Sequence, residues 1–352
     1  MNQTEKRKRD HVSICLDENV SAHHNYWDSV HLIHNALPEI NEQEINLSTT
    51  LFGKKLQAPL IISAITGGYS EGKTINENLA IAAEKFKIGM GVGSQRSALE
   101  NKELKETYSI INNYDIPLKI ANIGASQIAL WNKKQILENA EQIISMIEAD
   151  VLAVCLNFLQ EAVQPEGEVH AKGCLEAITM LADEFKKPIL IKESGAGISY
   201  TVASQLMKTK IAAIDVGGFS GTSFSAVEYY RAKQKNDQYN MREGKIFWDW
   251  GIPTPVSILH VGEATNWELP IIATGGIRHG LDAAKALILG ANAAGIARAL
   301  LLPATQDSQS TIQELQMIIK ELQTAMFLLG AETIEHLSNA EIKFASELKT
   351  WE

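Results

Sequence analysis

From residue 59 onward, short apolar runs of strand length alternate with helical stretches, and the alternation repeats eight times. The runs occupy 59–64, 88–92, 118–122, 151–156, 188–192, 211–216, 269–273 and 293–297. Runs this short and this apolar read as strands buried on both faces rather than as core helices. Between them apolar residues recur at helical spacing, as with Leu79, Ala82, Ala83 and Phe86, or Ile136, Ala140, Ile143, Ile144 and Ile147. Strands that alternate with helices join by right-handed crossovers into a parallel sheet. Eight such units in series predict an α/β fold, a closed (β/α)8 barrel. An open doubly wound sheet is the competing arrangement, and the unbroken series is long for it.

The chain has 352 residues, 45% hydrophobic and 21% charged, which suffices for one barrel-sized domain. The expected organisation is an N-terminal arm and cap over 1–57 and a barrel over 58–352, with an insertion near 226–252. That insertion lacks strand character and brings Phe247, Trp248 and Trp250 together, so it is either an excursion over the site or disordered. Residues 48–56 predict a strand pair turning at Gly53-Lys54, and 310–351 reads as amphipathic helix. A net charge of -10 argues against nucleic acid or an anionic membrane as partner. No apolar run approaches the roughly 20 residues of a membrane span. The first ten residues are basic and polar, without the apolar run of a secretory signal. Three cysteines with no CxxC point to a reducing compartment, expected to be the cytoplasm, and against a structural zinc site. His23, His24, His31 and His34 lack ligand spacing and are expected at the surface or on helices.

A barrel builds its site from the loops at the C-terminal ends of its strands. Here those ends carry Thr66-Gly-Gly68, Ser94-Gln-Arg96, Asn122, Asn157 with Gln160 and Glu161, Lys192, Thr222-Ser223, Gly275-Gly-Ile-Arg278 and Arg298. Each alone is weak, since glycine after a strand is usually just a turn. Together they predict a ligand site. The glycine-rich loops after the sixth and seventh strands leave backbone N–H groups open, with a helix start close behind, which suits a phosphorylated ligand. Lys192 closes an apolar run, either as a snorkelling side chain or as a fixed cation beside a cofactor ring. The basic cluster Lys6 to Arg9 is either a solvated tail or an arm that clamps phosphate.

These motifs resemble the type 2, flavin-dependent isopentenyl-diphosphate isomerases. The resemblance rests on Arg7-Lys8-x-x-His11, Ser63-Ala-Ile-Thr-Gly-Gly68, Gly93-Ser-Gln-Arg96, Ala121-Asn-Ile-Gly124, Leu156-Asn-Phe-Leu-Gln-Glu161, Lys192-Glu193, Gly221-Thr-Ser223 and Gly275-Gly-Ile-Arg-His-Gly280. It implies a (β/α)8 barrel with reduced FMN and Mg²⁺, NADPH as reductant, and interconversion of isopentenyl and dimethylallyl diphosphate without net redox change. By that resemblance Ala64, Thr66, Ser94, Asn122, Lys192, Thr222, Gly275, Gly276, Arg278, Ala297 and Arg298 would hold FMN. Arg7, Lys8, His11, Arg96 and Asn157 would bind the prenyl diphosphate, turning the basic cluster from tail to clamp. Gln160 would face the isoprenoid carbons as the catalytic side chain, and Glu161 would hold Mg²⁺. A homo-oligomer, tetramer or larger, is also implied.

Where the family carries histidine ahead of Leu-Asn, this chain has Cys155, which at neutral pH is no substitute for an imidazole as proton carrier. Two other readings use the same loops. A redox FMN enzyme of the 2-hydroxy-acid oxidase type would need a histidine base beside an arginine, and His279 follows Arg278. A protein that binds prenyl phosphates without isomerising them would have no need of Gln160 and Glu161.

Overall fold

A computed structural model describes residues 3–351. Eight parallel strands close into a barrel: Leu60–Ile62, Gly89–Gly91, Leu118–Gly124, Val151–Cys155, Ile189–Lys192, Ala213–Asp215, Ile271–Thr274 and Ala293–Ile296. Each expected run holds one of them. The last strand pairs with the first, Ala294 opposite Leu60 and Ile296 opposite Ile62, which seals the ring.

Alternation along the strands divides the core. Ile61, Leu118, Ile120, Val151, Ala153, Leu190, Ala213, Ile272 and Ala293 form one buried cluster with Leu51 and Leu56. Those two leucines belong to the hairpin Thr49–Leu51 and Lys54–Leu56, the strand pair expected around Gly53. The salt bridge from Lys54 to Asp150, just ahead of the fourth strand, places the hairpin at the N-terminal mouth of the barrel. That mouth is therefore plugged, and the opposite mouth is left for a ligand. The outer residues pack against helices such as Lys133–Ile147, which buries Ile136, Ala140, Ile143, Ile144 and Ile147. Asn132 starts that helix with a reciprocal capping box to Gln135, and Glu148 stops it in a left-handed conformation.

Three segments depart from the sequence reading. The C-terminal region is not one long helix. Ser308–Leu329 ends at Gly330, whose φ of 71° terminates it. The chain then makes a short strand, Ile342–Phe344, antiparallel to Val30–Leu32. A three-residue strand whose partner lies at the far end of the sequence has no local signal to read. Lys6 to Arg9 lie within a helix, Gln3–Asp17, rather than in a tail. The 226–252 segment is ordered, as helices Phe224–Gln234 and Gln238–Ile246.

The first of those two helices hid from periodicity analysis because its buried face includes ions. Arg231 is 4% exposed and reaches Glu228 at 2.6 Å, Glu166 at 2.5 Å and Asp10 at 3.7 Å. Glu228 also meets His11 Nε2 at 2.8 Å. One guanidinium thus joins the N-terminal helix, the inserted helices and the loop after the fourth strand. Burial pushes the Glu228 carboxyl up, but His11 and Arg231 outweigh it and hold it below the usual carboxylate range. Replacing Arg231 by methionine leaves the buried Glu228 with His11 alone and the partly buried Glu166 without its arginine. Denaturant unfolding at pH 7 is expected to show a loss of about 3–5 kcal/mol. A carboxyl depressed in the fold stabilises above its unfolded value and loses that contribution on acidification. The gap between wild type and variant should therefore narrow as pH falls below about 4.

Candidate active site

At the open mouth a cavity lies over the barrel interior, lined by Ser63, Ala64, Asn122, Lys192 and Asp215 above Ile61, Ile120 and Ile272. Strand register sets its polar wall. Cys155, Lys192 and Asp215 are cross-strand neighbours on the fourth, fifth and sixth strands. The Lys192 ammonium donates to Glu193 O at 2.9 Å. Burial pushes that ammonium down, while neighbouring negative charge, Asp215 and Glu193 included, pulls it up more strongly, so Lys192 stays a cation. Asp215 accepts from Thr274 Oγ1 at 3.0 Å, and Thr274 shares a 3.1 Å hydrogen bond with Ser63. Burial pushes the Cys155 thiol up, which keeps it protonated at neutral pH. Asn122 donates its amide to Val92 O, but its Oδ1 is buried without a partner. A buried acceptor with no partner, in the wall of a cavity, marks where a ligand donor belongs.

The glycine-rich loops interlock at the rim. Gly275 has φ of 118°, and a Cβ there would lie 2.3 Å from Gly218 O. Gly276 has φ of 75°, and a Cβ on Gly221 would lie 2.5 Å from its amide nitrogen. Only glycine permits this close backbone approach. A strap from the N-terminal arm crosses both loops. Ala22 N donates to Gly221 O, Ser223 N to Val20 O, Asn25 Nδ2 to Gly276 O and Trp27 Nε1 to Gly275 O. The expected FMN residues gather here with their partners already chosen. Thr222 bridges to Ser21, and Arg298 donates to the Ser21 hydroxyl at 2.6 Å. Ala297 begins the helix Arg298–Gln306. Arg278 is held by Asp282 and Asp28. His23, His24, His31 and His34 are all exposed. Sequence reasoning missed Ser21, Asn25, Trp27 and Asp28, and no local pattern singles them out.

The fourth strand turns into the short helix Phe158–Val163 through Asn157, whose φ is 25°. That turn brings three expected residues together. Asn157 Nδ2 donates to Glu161 Oε1 at 3.1 Å and approaches Gln160 Oε1 at 3.5 Å. Glu161 Oε2 accepts from Glu168 N at 2.8 Å. Gln160 faces a second cavity, lined also by Glu193, Phe224, Trp248 and Trp250. The inserted segment thus ends as an aromatic wall beside Gln160. Trp248 is fixed there by donating to Ser21 O at 2.9 Å.

The N-terminal helix carries the clamp residues. Lys8 Nζ donates to Gly67 O and Ser94 O, both at 2.7 Å, and to the Tyr108 hydroxyl at 2.5 Å. It is thereby tied to the loops that carry Thr66 and Ser94. Burial is the main cause that lowers its ammonium to about 7, with Arg7 and Arg96 adding to it and Glu100 opposing. His11 is taken by Glu228, whereas Arg96 binds Glu100 and Glu168, both at 2.6 Å. Arg7 is half-buried and close enough to act on both Lys8 and Glu168. For an amine lowered in the fold, the detached helix binds more protons between about pH 7 and the ordinary lysine value of about 10. Docking of residues 3–17 should therefore tighten as pH rises through that window. Amide hydrogen exchange, corrected for its intrinsic pH dependence, should show greater protection at pH 9 than at pH 7, and Lys8→Met should remove the difference.

Comparison with known proteins fits this geometry. A family model described as FMN-dependent dehydrogenase matches residues 2–110 and 249–344. The isopentenyl-diphosphate delta-isomerase of Thermoplasma volcanium is 46% identical over 348 residues, spanning 99% of each chain. That of Thermoplasma acidophilum is 44% identical, spanning 98% of each. Among solved structures, a mandelate oxidase with (S)-2-phenylpropionate aligns with TM-score 0.64 at 15% identity, covering 97% of each chain, a likeness of fold alone. By sequence over its whole length, the chain belongs to the isopentenyl-diphosphate delta-isomerase family, in its type 2, FMN-dependent form.

Proposed function

We propose that the protein interconverts isopentenyl diphosphate and dimethylallyl diphosphate with reduced FMN, in isoprenoid biosynthesis. The observation that carries this is the unpartnered Asn122 Oδ1 in the cavity walled by Lys192, with a second, aromatic cavity facing Gln160 at the end of the neighbouring strand. A flavin fits the first. Its ring offers an N–H donor to Asn122 Oδ1. Ala64, Thr66, Ser94, Asn122, Lys192, Thr222, Gly275, Gly276, Arg278, Ala297 and Arg298 would hold it. When bound and reduced by NADPH, FMN supplies ring nitrogens that exchange a proton with the substrate. Glu161, a hard oxygen donor, would hold Mg²⁺, whose charge would help bind the diphosphate.

Shifting a double bond requires a proton added at one carbon and another removed nearby, with the cationic state between them kept from water. Lys192 balances negative charge at the cavity floor. Phe224, Trp248 and Trp250 exclude water on the isoprenoid side, and Gln160 orients the alkene with its amide. Arg7, Lys8, His11, Arg96 and Asn157 hold or support the diphosphate. Cys155, a buried thiol at neutral pH, moves no proton. We further propose a cytoplasmic homo-oligomer, tetramer or larger. The exposed Leu302, Met317 and Leu328 on the two C-terminal helices support the assembly.

The test is an anaerobic reaction in D₂O with FMN, NADPH and Mg²⁺, followed by NMR. Deuterated dimethylallyl diphosphate, formed only with reduced flavin and without stoichiometric NADPH loss, is the expected result. Flavin reduction with no exchange into the substrate would overturn the assignment. Glu161→Gln should bind FMN normally by absorbance yet lose roughly tenfold or more in kcat/KM, partly recovered at high Mg²⁺. Cys155→Ala should stay within about tenfold of the wild-type rate, since an acid–base group contributes on the order of a hundredfold or more.

A further inference from the structure

The cradle assigned to the diphosphate already holds an anion, and the chain itself supplies it. Glu168 Oε1 lies 2.6 Å from Arg96 Nη2. Its Oε2 accepts from Gln127 Nε2 at 2.9 Å. Gln127 is 6% exposed and also donates to Ser126 Oγ, so it is a built part of the wall rather than a surface side chain. Burial pushes the Glu168 carboxyl up, but Gln127, Arg96 and Arg7 outweigh it and keep it ionised. The side chain is 26% exposed, so an incoming ligand can reach it.

The backbone of Glu168 is held in place. Its N–H donates to Glu161 Oε2 at 2.8 Å. Gly167 N donates to Gln164 O, and a Cβ on Gly167 would lie 1.8 Å from Glu161 O. Glu166 is tied to Arg231. The segment cannot swing away as a loop. The Glu168 carboxylate can leave Arg96 and Gln127 by rotating its own side-chain bonds.

Resting on the function proposed above, we infer that Glu168 is a resident stand-in for the substrate diphosphate and that Gln127 belongs to the diphosphate cradle. The carboxylate fills the oxygen positions on Arg96 and Gln127 in the free protein, and a diphosphate replaces it. A diphosphate carries more negative charge than one carboxylate, so it wins the exchange beside Arg7 and Arg96. A ligand with a single negative charge gains little by it. Glu168 therefore sets both the affinity for the diphosphate and the discrimination against singly charged anions.

The experiment is calorimetric titration of FMN-loaded protein with inorganic pyrophosphate at fixed ionic strength, without Mg²⁺. Glu168→Gln is expected to bind roughly two- to fivefold tighter than wild type, the range of a partly exposed ion pair. Gln127→Met is expected to bind more weakly. Equal or weaker binding by Glu168→Gln overturns the inference and leaves the functional reading standing. No measurable binding by either protein, with Mg²⁺ absent or added, overturns both. Flavin absorbance and a melting curve check folding. Should Glu168→Gln not fold, Glu168→Asp, which draws the charge back by one methylene, replaces it with the same sign expected.

Discussion

Lys192 carries its ammonium to the floor of a cavity walled by barrel strands, between Cys155 and Asp215 on the neighbouring strands. A cation buried this way is tolerated only with compensating charge and a hydrogen-bond acceptor, and both lie within one residue or one strand of it. Glu193 supplies the carbonyl that Lys192 binds, and its carboxylate accepts from Ser194 N and Ala196 N, which shapes the next turn. Asp215 in turn orders Thr274, and through it Ser63 on the first strand. The charge at the centre thus fixes polar groups on the first, fifth, sixth and seventh strands. The ligand above it meets a wall whose side chains already have partners, apart from Asn122 Oδ1.

The arm works differently from the barrel. Its contacts to the site are largely side chains donating to backbone carbonyls: Lys8 to Gly67 and Ser94, Asn25 to Gly276, Trp27 to Gly275. Each such bond is worth only about 1 kcal/mol net. They fall on the loops that would cradle FMN, so docking the arm and ordering the cofactor loops favour each other. The buried ion cluster around Arg231 joins the same arm to the inserted helices and to the loop that carries Glu161. The strand-end loops at Gly67 and Ser94 and the loop with Glu166 are therefore both linked to the N-terminal helix by polar contacts.

The barrel is legible in the sequence because each strand is an apolar run and each helix has a 3.6-residue stripe, both local patterns. The site is legible one level up, because a barrel places its strand ends at one mouth. That logic brings Asn157, Gln160 and Glu161 together and puts Asn122 and Lys192 in one cavity. It cannot show which partner a charged side chain takes. Arg278 reads as a phosphate ligand, yet Asp28, far away in sequence, occupies it. Lys8 reads as a cation for the diphosphate, yet four acceptors of the chain itself enclose it. Gln127 and Glu168 carry no motif, and only the fold brings them to Arg96. The inserted helices and the terminal strand escape for related reasons, the first burying ions and the second pairing across nearly the whole chain.

The likeness to mandelate oxidase shows how little a shared barrel says about chemistry. A 2-hydroxy-acid oxidase mechanism would need a histidine free to take a proton beside an arginine free to bind a carboxylate. Here Arg278 is engaged with two aspartates, and His279 accepts from Asp282 N as the N-cap of the helix Gly280–Ile288. His279 Nδ1 is thereby committed to that helix start. What remains at the mouth is an amide, a carboxylate on a strained turn, a fixed cation and an aromatic wall. Those groups can hold a diphosphate, shield a cationic carbon skeleton and steer a proton. Among them no side chain is placed to abstract the α-proton of a hydroxy acid. The chemistry follows from how each titratable group is already bonded, and on that basis the same barrel is suited to isomerisation.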